Sequence, residues 1–208
     1  MTKRVKKTRR SRYLTGIAAD NLRAATEFAA ERGTPINCAI SINWTMFSGF
    51  GVPDDVRLAR AQERLRHRLE RQGFELVWWW TREMGGDAPN THIAAHNPFA
   101  TDEKFKRLLS ECLEPEGGPN DNAVDVRRAY YPFGWWKYCC KGLNREEAKQ
   151  RRIRPTYQGE IDGKRSGSTQ NINRAARKRR LTQNLDAPGP EVFRTPSAIV
   201  QNSQIVGA

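Results

Sequence analysis

Tyr138 and Lys141 stand three residues apart in GWWKYCCKGL (134–143), and PNTHIAAH (89–96) upstream carries Asn90, His92 and His96. A tyrosine oxygen can attack a phosphodiester and hold the product as a phosphotyrosyl ester. An ammonium beside it stabilises the phenolate and can hold a phosphate oxygen. If this stretch is helical, positions i and i+3 share a face, which brings Lys141 beside Tyr138. The competing role for Tyr138 is a core aromatic with its hydroxyl at the surface. On a strand, residues two apart point the same way, so Asn90, His92, Ala94 and His96 line one face. His92 and His96 are four rises of ~3.3 Å apart, too far to bind one ion on a regular strand. Glu83, late in the preceding apolar run, could lie beside His92 across a hairpin. A carboxylate and an imidazole, completed by water, suit Mg2+ or Mn2+ and the polarisation of a phosphate. The plain alternative for His92 is a structural strand histidine.

These residues need a scaffold, and the chain spells one out. ADNLRAATEFAAERG has Leu22, Ala25, Phe28 and Ala29 at helical spacing and ends at Gly33. INCAISINWTMF alternates, with Cys38, Ile40, Ile42 and Trp44 on one face and Asn37, Ser41 and Asn43 on the other: a strand with one buried side. A second helix follows Pro53 and stops at Gly73, with Asp54 and Asp55 in its first turn. FELVWWWTRE reads as a buried strand whose antiparallel partner is THIAAH after the turn MGGDAPN. Trp79 should face away from Trp78 and Trp80, and core packing on both faces is the expectation. TDEKFKRLLSECLE reads as a helix, AVDVRRAYY as a strand, and FGWWKYCCKGLNREEAKQRR as one helix or two short ones. The predicted order is α-β-α-β-β-α-β-α: an α+β fold, a mostly antiparallel sheet with helices packed on one side. Periodicity dissolves after about Pro155, and residues 186–208 are expected to be disordered.

Charge is concentrated in two places. Residues 1–13 and 164–180 each hold seven basic residues and no acid, which leaves the rest of a chain of formal charge +13 close to neutral. Basic blocks of this kind repel themselves and seek a polyanion, most often nucleic acid. Lys6, Lys7, Arg9, Arg10, Lys164, Arg165, Arg177, Lys178, Arg179 and Arg180 are the candidate DNA-backbone contacts. The predicted organisation is a basic arm (1–15), an α+β domain (16–155), a basic extension (156–185) and a tail (186–208). No apolar run reaches the ~20 residues that span a bilayer, so no membrane partner is expected. Cys38, Cys112, Cys139 and Cys140 form no CxxC pair, which suggests free thiols and a cytoplasmic setting. Adjacent Cys139 and Cys140 diverge by ~100° on a helix and read as small core residues.

Strand, hairpin and YCCKG helix, in that order, resemble the three ordered motifs of HUH endonucleases, the rolling-circle replication initiators of phage and plasmid type. The resemblance covers roughly residues 36 to 143. It implies an RRM-related sandwich, a divalent metal, and a tyrosine nucleophile that nicks and joins single-stranded DNA. Residue by residue, Tyr138 and Lys141 match the nucleophile motif, His92 the second metal-binding histidine and Glu83 the neighbouring acidic position. Where the family has its first histidine this chain has Asn90, whose carbonyl can still ligate a hard cation. The partners implied are single-stranded DNA or an origin hairpin, and host replication proteins. Two other functions fit the same residues: a lapsed member that only binds DNA or RNA through its arms, and a basic accessory protein for structured RNA. Tyr130 and Tyr131 lie close enough upstream to leave the register of the nucleophile open.

Overall fold

The computed structural model describes residues 10–48, 51–85, 88–120 and 122–186. In chain order the elements are β1 (Arg10–Ser11), α1 (Gly16–Glu31), β2 (Cys38–Asn43), α2 (Asp54–Glu70), β3 (Trp78–Gly85), β4 (Ala88–Ala95) and α3 (Asp102–Leu113). They continue with β5 (Val124–Arg128), α4 (Pro132–Cys139), α5 (Arg145–Gln150), β6 (Ile161–Asp162), β7 (Ser166–Ser168) and α6 (Arg174–Asp186). Five strands make one antiparallel sheet in the order β5-β2-β4-β3-β7, and β1 pairs with β6 apart from it. The fold is α+β, as the order of patterns predicts.

Helices pack on both faces, not on one. Cys38, Ile40 and Ile42 of β2, Trp78 of β3 and Ile93 of β4 join Leu58, Leu65 and Leu69 of α2 and Phe105 and Leu109 of α3 in one core. Trp79 and Ala94 on the opposite face join Leu22, Ala25 and Ala29 of α1, and Trp136 and Cys139 of α4, in a second. The tryptophan run explains this: on a pleated strand Trp78 and Trp79 point to opposite sides, and both are fully buried. A helix layer on one side alone would leave one indole in water. The Trp79 indole donates to Thr26 Oγ1 at 2.9 Å and that of Trp136 to the Ala19 carbonyl at 2.9 Å, which satisfies both buried N–H groups.

Register divides the second face in two. Trp79, Ala94 and Ala39 form one cross-strand row, under α1 and α4. Thr81, His92 and Ser41 form the next, and Glu83, Asn90 and Asn43 the one after. One end of the face is therefore apolar and covered, and the other is polar. Helix α4 begins with Pro132 at its first position, where the missing N–H costs nothing, and lies over this boundary.

Beyond Pro155 the chain does not leave the fold. β7 pairs with Trp79, Trp80 and Thr81 of β3, Met84 N–H donates to the Gln158 carbonyl at 2.8 Å, and Arg82 N–H to the Arg165 carbonyl at 2.8 Å. This segment covers an edge of the sheet that would otherwise expose unpaired backbone groups. Its sequence has no period because backbone bonds, not an alternating face, hold it. Lys6, Lys7 and Arg9, and residues 187–208, for which disorder is expected, lie outside the described residues. No helix among the described residues is long and apolar enough to cross a membrane.

Candidate active site

Glu83 and His92 are diagonal neighbours on the polar half of the sheet, since Glu83 pairs with Asn90 and His92 with Thr81. A diagonal pair is within reach of long side chains. His92 Nε2 lies 2.9 Å from Glu83 Oε1. Even so, this buried nitrogen has no hydrogen-bond partner of acceptable geometry among the described residues. The other ring nitrogen, Nδ1, is 3.0 Å from Ser41 Oγ on the neighbouring strand, which fixes the ring plane.

Helix α4 brings the nucleophile candidate over this pair. The rings of Tyr138 and His92 meet edge to face at 5.1 Å between centroids, and Trp135 stacks on Tyr138 at 5.0 Å and 10°. Trp135 is anchored in turn by its indole N–H, which donates to the Ile93 carbonyl at 3.0 Å. Lys141 lies just past the end of α4, where its N–H bonds the Tyr138 carbonyl at 3.2 Å in a three-residue turn. The expected i,i+3 neighbourhood therefore survives the end of the helix: Lys141 Nζ is 4.0 Å from the Tyr138 ring centroid and 3.3 Å from Glu83 Oε2. Gln158 donates to the same Oε2 from the segment after Pro155. Gly142 makes that approach possible, because a Cβ there would collide with the Gln158 amide.

Burial and charge grade the site from floor to surface. Glu83 is 8 % exposed and His92 5 %, whereas Tyr138 is 44 % exposed, so the acid–imidazole pair is a floor and the phenol faces solvent. Burial alone would raise the Glu83 pKa, but the imidazole of His92 and the Lys141 ammonium outweigh it and hold the carboxyl below its ordinary range. Burial likewise disfavours the Lys141 charge, and is outweighed by the Tyr138 oxygen and Glu83, so the ammonium is held protonated above its usual value. An accessible phenol thus sits beside a protonated ammonium.

A divalent ion fits the floor in part. Neighbouring ligands about 2.1 Å from a small octahedral cation are about 3 Å apart. The 2.9 Å between His92 Nε2 and Glu83 Oε1, with no hydrogen bond formed from Nε2, matches that spacing. Asn90 shares the row with Glu83, and its amide N–H₂ donates to the Ala88 carbonyl at 3.1 Å, so only its side-chain oxygen would be left to face an ion. No group of three or more His, Cys, Asp or Glu placed to hold a metal ion occurs among the described residues.

The other predicted residues scatter. His96 turns away to the Pro35 carbonyl at 2.9 Å. Tyr130 and Tyr131 are 91 % and 66 % exposed, and neither ring packs against His92 as Tyr138 does. Arg10 is exposed and paired with Glu160 and Asp162 at 3.3 and 3.4 Å. Lys164 is exposed, but Arg165 is buried and spends its guanidinium on Ser11 and the Gly159 carbonyl. Arg177 is half-buried and binds the Ile172 carbonyl and Asn21, while Lys178, Arg179 and Arg180 face solvent on α6. Asn171, just before α6, bonds the Leu76 carbonyl, so α6 starts near the opposite end of β3 from Glu83. All four cysteines are free and buried, and burial pushes Cys38 and Cys140 up to about 12. Ser41, Trp135 and Gln158 are the site residues that motif reading misses. Ser41 had a signal, as a polar residue on the open face of an alternating strand; Gln158 had none.

No protein-family model matches the chain, and no curated protein matches it.

Proposed function

We propose that the chain is a single-strand DNA nicking and joining enzyme of HUH type, with Tyr138 as nucleophile. The observation that carries this is the convergence of Tyr138 and Lys141 from the end of α4 with Glu83 of β3 and His92 of β4 within one cluster of contacts. Tyr138 Oη gives its proton to solvent and bonds to phosphorus; the bond to the 3′ oxygen breaks, and that oxygen takes a proton from water. A 5′-phosphotyrosyl enzyme and a free 3′-OH result, and the reverse steps rejoin the strand. Lys141 supplies fixed positive charge beside the phenol and, by pairing with Glu83, keeps that charge in place. Trp135, stacked on the Tyr138 ring, limits its rotation. Glu83 and His92, with Asn90 as a third donor, would hold Mg2+ or Mn2+, which when bound polarises the scissile phosphate. The basic arms bind the backbone, a salt-sensitive contribution.

Incubating labelled single-stranded DNA with the protein and Mn2+ and separating under denaturing conditions tests the proposal. A label migrating with the protein is expected from the wild type and not from Tyr138→Phe.

A second function has its own support: Glu83 Oε2 is already engaged by Lys141 and Gln158, and Asn90 brings no imidazole. A protein that binds DNA through its basic segments with lapsed chemistry would carry such a site. It would bind in a salt-sensitive manner, and neither chelator nor Tyr138→Phe would alter that binding.

A further inference from the structure

The side of α4 that carries Phe133, Trp136 and Lys137 opens into a groove of about 660 Å³ lined also by Tyr131, Arg23 and Arg152, among others. It takes four basic side chains and one carboxylate, that of Asp20, which Arg151 neutralises at 2.6 and 2.8 Å. The remaining charge is positive. Its aromatic wall is held in place: Tyr131 and Phe133 meet edge to face at 6.5 Å, and the Tyr131 ring lies against Gly134. A Cβ on Gly134 would fall 2.7 Å from Tyr131 Cδ1, so the helix has no side chain where the ring rests. Tyr131 nevertheless stays 66 % exposed, an apolar face offered to solvent.

Arg152 adds an independent observation. It is the one described non-glycine residue with positive φ, at 54°, just past the end of α5. That conformation suits glycine and is strained for a side chain. The chain accepts the strain and places an exposed guanidinium on the groove.

We propose that this groove binds an unpaired nucleotide of single-stranded DNA, the base stacking on Tyr131 and the adjoining phosphates meeting Lys137, Arg152 and Arg23. Aromatic faces alternating with cations are the chemistry of sequence-tolerant single-strand binding. Phe133 and Tyr138 lie five residues apart on one helix, about 7.5 Å along its axis and about 140° around it, so a strand held here reaches the nucleophile by passing around α4. That this strand is the one cut rests on the function proposed above; the stacking itself does not.

The test is fluorescence anisotropy of a labelled 20-nucleotide oligothymidine in EDTA, so that no chemistry intervenes. Tyr131→Ala should weaken binding by about 5- to 150-fold, the range for one lost base stack, and Tyr131→Phe should restore it. Arg152→Gly should weaken binding and reduce the salt slope by about one, with a thermal midpoint no lower than wild type, which rules out unfolding as the cause. Wild-type affinity in Tyr131→Ala, an unchanged salt slope in Arg152→Gly, equal binding of duplex, or no binding by the wild type overturns the groove. Covalent adduct with unaltered binding by Tyr131→Ala would overturn the groove and leave nicking standing. Weakened binding by Tyr131→Ala with no adduct from the wild type would do the reverse.

Discussion

Lys141 Nζ lies 3.3 Å from Glu83 Oε2, so the turn after α4 is tied by charge to the floor of the sheet. The pair joins two segments far apart in sequence, and it sets the geometry on which the chemistry depends. Lys141→Gln keeps the length and removes the charge. Adduct formation should fall by about 100-fold, the cost of one lost electrostatic donor, with binding of oligonucleotide changed far less. Single-turnover rates set beside anisotropy separate the two.

The same pair has a pH signature in the metal-free protein. Glu83 is held below its ordinary 4.5, so its contribution to stability is present above that value and is lost as pH falls through the lower folded value. Lys141 is held above its ordinary 10.5, so its contribution is present below 10.5 and is lost as pH rises through the higher folded value. Urea unfolding in EDTA should therefore give Glu83→Gln a shallower loss of stability on the acid side than the wild type. Parallel pH curves for the two proteins would contradict the assignment.

Gly142→Ala puts a methyl where the Gln158 amide sits. Overpacking of this kind costs about 1–3 kcal/mol, and it should also lower activity by pushing Gln158 off Glu83. Gln158→Ala made in the same chain should relieve part of the stability loss. A double-mutant cycle of unfolding free energies measures that coupling.

Arg82 is 5 % exposed; its Nε donates to Asp54 Oδ2 at 2.8 Å and its Nη1 to the carbonyls of Asp162 and Lys164 at 3.0 and 2.9 Å. It thus clamps the edge segment to β3 and to the start of α2. Arg82→Ala leaves a largely buried carboxylate unpaired and should cost about 3–5 kcal/mol. Because Gln158 reaches Glu83 from that edge segment, activity should fall as well. Chemical denaturation and the adduct assay together check both effects.

Local pattern carried much of this fold in the sequence. The alternation in CAISIN, the THIAAH partner strand and the helix around Tyr138 all appear as predicted, because each buries its own periodic face. Trp78 and Trp79 are legible as buried on opposite sides, yet the second helix layer that this demands does not follow from any single window. Position in space is what hid the rest. Arg165 looks like a solvated charge in a basic run, but tertiary contacts bury it under Ser11 and Gly159. Gln158 sits in a stretch without period, and only the backbone bond to Met84 places it at Glu83. Glu83 and His92 were legible as a pair since a hairpin fixes its own register; that Tyr138 lies over them depends on how α4 crosses the sheet.

The most direct test is the site of the covalent bond. Wild-type protein incubated with single-stranded DNA and Mn2+, then digested and mapped by mass spectrometry, should carry the nucleotide on the peptide containing Tyr138. An adduct on the peptide bearing Tyr130 and Tyr131, or none with any strand or divalent metal, would contradict the account.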